Sequence, residues 1–214
     1  MTKSDHPIID ALTWRYATKK FDASKKINPE DLDTLLESIR LAPTSYGLQP
    51  FKVIVIESDK FRRLVKGACF NQSQPVDASH FLVFCAKTGI SEDDVNAYME
   101  NISETRNIKK DEIDPYGKFI LSSISGFSEE QFNTWNSKQI YIALGMLLQT
   151  AAQLQIDTIA MEGFSNEELD KVLSLKEQNL TSAVCCAIGY RSSDDGTQHQ
   201  AKVRKSKEEL FDFI

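Results

Sequence analysis

Apolar positions along the chain fall into two periods. Leu32, Leu35, Leu36 and Ile39 recur at i, i+3, i+4 and i+7, which predicts one buried helical face. Asn28 is placed as its cap, Pro29 at its first position, and Pro43 closes it. A helix is likewise predicted from Pro7, running IIDALTWRY with Ile8, Ile9, Leu12 and Tyr16 inward. Phe51 to Ile56 (FKVIVI) is short and β-branched, and so reads as a buried strand. HFLVFCA from His80, DTIAM from Asp157 and the continuous apolar run TSAVCCAIGYR from Thr181 read as further strands.

Between the strands lie a short helix from Asp59, a loop from Asn71 to Asp77, and a polar helix opening at Ser91. Another helical stretch is predicted from about Asp114 to Ile124. Ser128 to Gln131 matches a capping box, in which the Gln returns a hydrogen bond to the cap residue. The helix it opens is the longest. Trp135, Ile140, Tyr141, Leu144, Leu147, Leu148, Ala151 and Leu154 make it apolar over much of its circumference, as in a central or subunit-interface helix. A second capping box, Ser165 to Glu168, starts a short helix. The chain ends EELFDFI, and Leu210, Phe211, Phe213 and Ile214 on a free tail would be costly, so the tail is expected to pack on something. Helices mixed with four or five strands out of strict alternation predict an α+β domain.

Composition narrows the class. The 214 residues carry 25 basic and 31 acidic side chains, a formal charge of −6, which suits one domain and argues against broad nucleic-acid binding. No apolar run approaches the ~20 residues of a membrane helix, and the N-terminus lacks a signal-peptide stretch, so a cytoplasmic protein is expected. Cys69, Cys85, Cys185 and Cys186 form no CxxC pair and read as buried free thiols. His6, His80 and His199 are far apart and offer no metal spacing.

The positive charge is local: Arg15, Lys19 and Lys20 crowd together in RYATKKF, and KVRKSK spans residues 202 to 207. Two distant basic clusters in an acidic chain invite the expectation that they meet in space. Taken singly, each motif has a plainer reading. RYATKK suits a helix C-terminus, where cations offset the dipole. KVRKSKEEL suits a solvated helix start, PTSYGLQP a loop into a strand, and EGF at 162 to 164 a turn that needs Gly163 for its backbone. No GxGxxG follows a strand, no P-loop occurs, and no Ser-His-Asp or Cys-His arrangement is signposted.

Their order changes the weighing. RYATKKFDASKKI, PTSYGLQPF, FNQ and DASH, MEGF and a late K-x-R together resemble the FMN-dependent nitroreductase family over nearly the whole chain. VFCAKT and WNSKQIYIALG are similar to the branch holding oxygen-insensitive bacterial nitroreductases and dihydropteridine reductases. The resemblance implies a nitroreductase-like fold: a central mixed sheet flanked by helices, with the C-terminal segment exchanged across a homodimer. It implies one domain over 1–214, with residues from about 92 to 127 as a helical excursion near the site.

By the same resemblance, Arg15, Tyr16, Ala17, Thr18 and Lys19 would contact FMN, with Arg15 at the phosphate and Lys19 at the N1–O2 edge. Lys202 and Arg204 would also hold the phosphate, which suits a dianion that wants several charge-assisted donors. Asn71 would meet the pyrimidine edge, and Glu162 and Gly163 would place backbone N–H groups at N5 and O4. Thr44, Ser45, Tyr46 and Gly47 would come from the other subunit. Lys19, Tyr46, Phe70, Asn71, Gln74 and Leu121 would face NAD(P)H and substrate, with a core residue beneath its loop as the lesser reading of Phe70.

Gln74 stands where close relatives have Lys, Gly47 where Asn is commoner, Tyr16 and Ala17 where a His-Ser or Arg-Ser pair is commoner, and Leu121 where some carry an aromatic. The activity implied is ping-pong reduction of nitroaromatics, quinones or related flat acceptors by NADH or NADPH through flavin N5, with no catalytic side chain. The alternatives are the same flavoenzyme with a dihydropteridine or enone acceptor, or a non-catalytic nucleotide-binding module.

Overall fold

A computed structural model of the chain describes residues 6–214. Four strands, β1 (Phe51–Ile56), β2 (His80–Lys87), β3 (Asp157–Met161) and β4 (Leu180–Gly189), form one sheet in the order β1-β2-β4-β3. All three pairings are antiparallel, and the only parallel pairing among the described residues is an isolated bridge, Ala17 to Thr158. The mixed sheet expected from sequence is therefore corrected. An apolar run buried on both faces reports layers above and below it, not strand direction. β4, an interior strand, is buried along most of its length, whereas β1 is an edge strand and only half-buried.

Helices cover both faces. On one, α2 (Pro29–Arg40) and α7 (Glu129–Gln153) bury Leu35, Ile39, Leu144 and Leu147 against Leu82, Phe84 and Val184. On the other, α3 (Asp59–Ala68), α4 (Gln74–Asp77) and α8 (Asn166–Val172) pack around Val65, Phe81, Val83 and Leu169. Two cap expectations hold: the Asn28 side chain accepts from the Asp31 N–H at 2.8 Å, and Ser128 and Gln131 form the reciprocal box at the start of α7. At Ser165 only half of the expected box forms, its side chain accepting from the Glu168 N–H. A separate apolar cluster joins α5 (Glu92–Arg106) to α6 (Lys110–Ile124) through Val95, Met99, Ile102, Ile120 and Ile124. α6 starts four residues before the expected Asp114 despite Pro115, because Ile113 and Tyr116 pack on that cluster.

Two expectations about apolar surface fail within one chain. In α1 (Pro7–Trp14), Ile8, Ile9 and Leu12 are 48%, 49% and 40% exposed, and only Ala11 is buried. A short helix with one helical neighbour, α7, buries only the stripe that touches it. After α9 (Lys207–Leu210) the tail stays exposed among the described residues, with Phe213 98% exposed. All four cysteines are free and buried, and burial pushes the Cys85 and Cys186 thiols up to about 12. No helix of the described residues is long and apolar enough to cross a membrane.

Leu147 has no exposed surface and sits at the centre of the contact between α7 and the sheet. Leu147→Ala should therefore cost about 2–5 kcal/mol in urea unfolding, the usual loss for a core leucine. A loss below about 1 kcal/mol would mean that α7 is not held through this face.

Candidate functional site

The segment Arg15–Lys20 leaves α1 at its C-cap: the Arg15 N–H donates to the Ala11 carbonyl at 3.1 Å, and its backbone is already extended (φ −68°, ψ 145°). The helix-terminus reading therefore fits Arg15 alone, since the last turn of α1 holds no basic residue and Lys19 and Lys20 lie beyond it. The segment instead runs as a ribbon beside β3, an edge strand. Ala17 bridges Thr158, the Thr18 N–H donates to the Thr158 carbonyl at 3.2 Å, and Phe21 bridges Arg191. Thr18 is fully buried with its hydroxyl 3.4 Å from Asp157 Oδ1, so its side chain points into the protein, while Lys19 and Lys20 are exposed.

Two carboxylates hold this ribbon, and sequence reasoning singled out neither. Asp157 pairs with the Arg191 guanidinium at 2.6 Å and accepts from its backbone N–H at 2.8 Å. That guanidinium lies over Trp14 at 4.2 Å and Tyr16 at 4.6 Å, a cation between two ring faces. Asp195, only 1% exposed, accepts from the Tyr16 hydroxyl at 2.9 Å and from the backbone N–H groups of Lys19 at 2.7 Å, Lys20 at 3.1 Å and Thr197 at 3.0 Å. Burial pushes its carboxyl up, but those donors outweigh burial and hold it at about 2.

The two basic clusters do meet. Arg15, Tyr16, Ala17, Lys202 and Arg204 line one open cleft of about 840 Å³, with Asp10, Trp14 and Arg191 also on its walls. Lys202 Nζ donates to the Arg15 carbonyl across 187 residues of sequence. Lys202 and Arg204 precede α9, so the solvated-helix-start reading fits Ser206 and Glu209, which cap that helix, and not the K-x-R. Burial lowers the Arg15 and Lys202 pKa values, and the charge of Arg204 lowers both further. Arg15 Nε is buried with no hydrogen-bond partner. Mutually repelling cations around an orphaned donor suit a multiply charged anion.

A second group of expected residues forms a rim joined by hydrogen bonds. The Gln74 amide donates to the Lys19 carbonyl at 2.9 Å, and Gln72 donates to the Gly163 carbonyl at 2.7 Å. Glu162 Oε1 accepts from the Tyr141 hydroxyl. Phe70 and Asn71 both adopt positive φ, 53° and 59°, and both are exposed. Phe70, at 64% exposure, is not a core residue, and that reading is corrected. Gln74 is buried in α4, a turn that replaces part of the expected loop, and its Oε1 has no partner. Arg62, also buried, donates to the carbonyls of Pro75, Ala78 and Ser79 and so sets this turn. Gly163 has no positive φ, so backbone freedom is not its role. A Cβ there would stand 3.3 Å from the Gln72 amide that binds its carbonyl.

Thr44, Ser45, Tyr46 and Gly47 lie elsewhere in the chain. The Thr44 hydroxyl accepts from the Gln49 N–H at 3.0 Å, and the Ser45 N–H donates to Gln139 Oε1 of α7 at 2.8 Å. The Tyr46 ring meets Phe119 and Trp135 at 6.1 and 6.2 Å between centroids. Gly47 has φ 80°, and a Cβ would fall 2.2 Å from the Tyr98 hydroxyl, so this loop requires glycine. Strand register puts the start of β1 level with Ala86 and Thr181, at one end of the sheet. Thr158, beside the cleft, is level with Ile188 at the other end and on the opposite edge strand. Leu121 is half-buried against the α5–α6 cluster. The exposed apolar side chain of α6 beside Tyr46 is Phe119, which the sequence reading passed over.

A family model described as the nitroreductase family matches residues 12–190. The major NAD(P)H-flavin oxidoreductase of Aliivibrio fischeri is 32% identical over 216 residues, covering 98% of this chain and 99% of that protein. A Staphylococcus aureus protein, given the provisional name NAD(P)H nitroreductase, is 33% identical over 226 residues and covers 100% of this chain and 98% of its own. A structure from Exiguobacterium sibiricum in complex with FMN, provisionally named a nitroreductase, has a TM-score of 0.85 at 17% identity over 100% of both chains, a likeness of fold.

Because the Asp195 carboxyl is lowered by folding, its contribution is present above the ordinary carboxylate pKa and lost as pH falls through the folded value. Asp195→Asn should therefore cost stability above about pH 5, up to about 2 kcal/mol, and the gap to the parent should close between about pH 4 and 2. Urea unfolding of both proteins across that range checks it. A gap that widens on acidification would mean the carboxylate is not held by these donors.

Proposed function

The chain belongs to the nitroreductase family, and from that premise we propose how its own residues serve an NAD(P)H-dependent oxidoreductase that uses FMN. One observation carries the reading: Arg15, Lys202 and Arg204 converge on one cleft, with Arg15 Nε buried and unpaired. A phosphate dianion fits that donor set, since it accepts several charge-assisted hydrogen bonds and relieves the repulsion among the cations. The rim at Lys19, Asn71, Gln74, Glu162 and Gly163 offers mixed donors and acceptors, which suits the polar edge of a flavin ring. Tyr16 and Ala17 wall the cleft beside Arg15, and buried Thr18 anchors the ribbon behind them to Asp157 and Thr158. When bound, FMN would supply the redox chemistry that passes a hydride from NAD(P)H to the acceptor.

In this reading no side chain acts as a nucleophile, and the protein binds, orients and excludes water. Exposed Phe70 covers the rim and limits the gap that NAD(P)H and a flat acceptor, such as a nitroaromatic or quinone, enter in turn. The working form is a cytoplasmic homodimer of a single domain over 1–214, whose residues from about 92 to 127 form an excursion. A second copy would cover Ile8, Ile9 and Leu12 of α1, Ile142 of α7 and the tail from Leu210, all exposed in one chain. It would also bring Thr44, Ser45, Tyr46 and Gly47, with Leu121 and Phe119 behind them, toward the rim they do not reach in their own chain.

Arg204→Ala should weaken FMN binding about ten- to a hundredfold, the loss of one hydrogen bond to a charged group. Fluorescence titration of the apoprotein with FMN reads this directly, and an unchanged affinity would remove Arg204 from the site. Turnover at several acceptor concentrations should give parallel double-reciprocal plots. Intersecting lines would rule against one shared gap. In sedimentation the FMN-loaded protein should run as a dimer, and an active, flavin-loaded monomer at nanomolar concentration would sink the two-copy site.

A further inference from the structure

Resting on the phosphate reading above, we propose that Asp195 is a positioning residue: it preassembles the anion cradle by tying the ribbon that carries Arg15 to the segment that carries Lys202 and Arg204. Asp195 is not on the cleft wall, so it acts through other residues. Its two oxygens accept from Tyr16, Lys19 and Lys20 on the ribbon and from Thr197 on its own segment. One buried side chain thus sets the separation of two chain segments that carry like charges, only seven positions before Lys202.

The geometry gives the tie a reason beyond general stability. Arg15, Lys202 and Arg204 repel one another, as the lowered pKa values of Arg15 and Lys202 record alongside burial. That repulsion opposes the approach of the two segments, which the Lys202 bond to the Arg15 carbonyl alone would have to hold at this point. The neighbouring cation Arg191 is paired with Asp157 and stacks on Trp14 and Tyr16, but it lies upstream of Asp195. Backbone bonds also join the segments, from Ser192 to Lys20 at 2.9 Å and from Asp22 to Tyr190 at 2.8 Å, but both lie upstream of Asp195. The Asp195 carboxylate is the side-chain anchor between them and the K-x-R. A cradle held open and aligned before binding does not have to order its side chains when the phosphate arrives.

The test compares FMN with riboflavin, the same ring system without the phosphate. The ratio of their affinities isolates what the cradle contributes. Asp195→Asn keeps the shape but replaces one accepting oxygen with an amide NH2 group, which donates and cannot accept from an N–H. The FMN-to-riboflavin ratio should fall about tenfold, the cost of ordering one or two side chains on binding, while riboflavin affinity changes little. Arg204→Ala, measured in parallel, should lower the same ratio. If Arg204→Ala lowers it and Asp195→Asn does not, the inference is overturned while the phosphate reading stands. Equal losses of FMN and riboflavin affinity in Asp195→Asn would make Asp195 merely structural and also overturn it. If Arg204→Ala leaves the ratio unchanged, the phosphate reading itself falls and the inference with it. Should Asp195→Asn fail to fold, Tyr16→Phe deletes one of the donors and keeps the ring. It should lower the ratio by a smaller factor, and an unchanged ratio there would overturn the proposal.

Discussion

Like charges do not gather in one cleft without something to hold them. Here the holding element is a pair of buried carboxylates at the β3 edge of the sheet. Asp157 neutralises Arg191 and aligns it beneath Trp14 and Tyr16, and Asp195 collects N–H and O–H donors from the ribbon. The cations Arg15, Lys202 and Arg204 line one open cleft, with Asp10 also on its wall. The arrangement keeps the electrostatic cost of the cluster in place until an anion offsets it.

The rest of the fold serves to hold this edge still. β4 runs through the middle of the sheet with helices on both faces, so β3 has a rigid neighbour and a buried register. α4 is pinned by the three carbonyls that Arg62 collects, and through Gln74 it supports the carbonyl of Lys19. The turn at Glu162 and Gly163 is tied on one side to α7 through Tyr141 and on the other to Gln72. Ribbon, α4 and turn therefore form one continuous frame, and a shift in any of them is felt by the others. The loop with Tyr46 belongs to a different frame, built on α5, α6 and α7 at the other end of the sheet.

Where a signal was local, sequence reading located it. The Asn28 cap with Pro29, the Ser128 box, the β-branched run from Phe51 and the Asp157 strand all depend on neighbours within a few residues. The convergence of two basic clusters was also legible, because it rested on charge standing out against an acidic background. Local signals misled where a neighbour decided the outcome. Ile8, Ile9 and Leu12 have the spacing of a buried face but lack a covering surface in their own chain. Asp195 could be read as a small turn cap for Thr197, but nothing near it in sequence announces Tyr16, Lys19 and Lys20.

By itself, then, the sequence determined the elements, their caps, the α+β class and the presence of two cationic clusters, since hydrophobic period and charge act over one or two turns. Only the tertiary structure decided the antiparallel sheet, the extended ribbon at Arg15, the roles of Asp157, Arg191 and Asp195, and the separation of Tyr46 from the cleft. Each of those rests on contacts between segments far apart in sequence. Such contacts follow from how the chain closes on itself, which no local pattern of residues encodes.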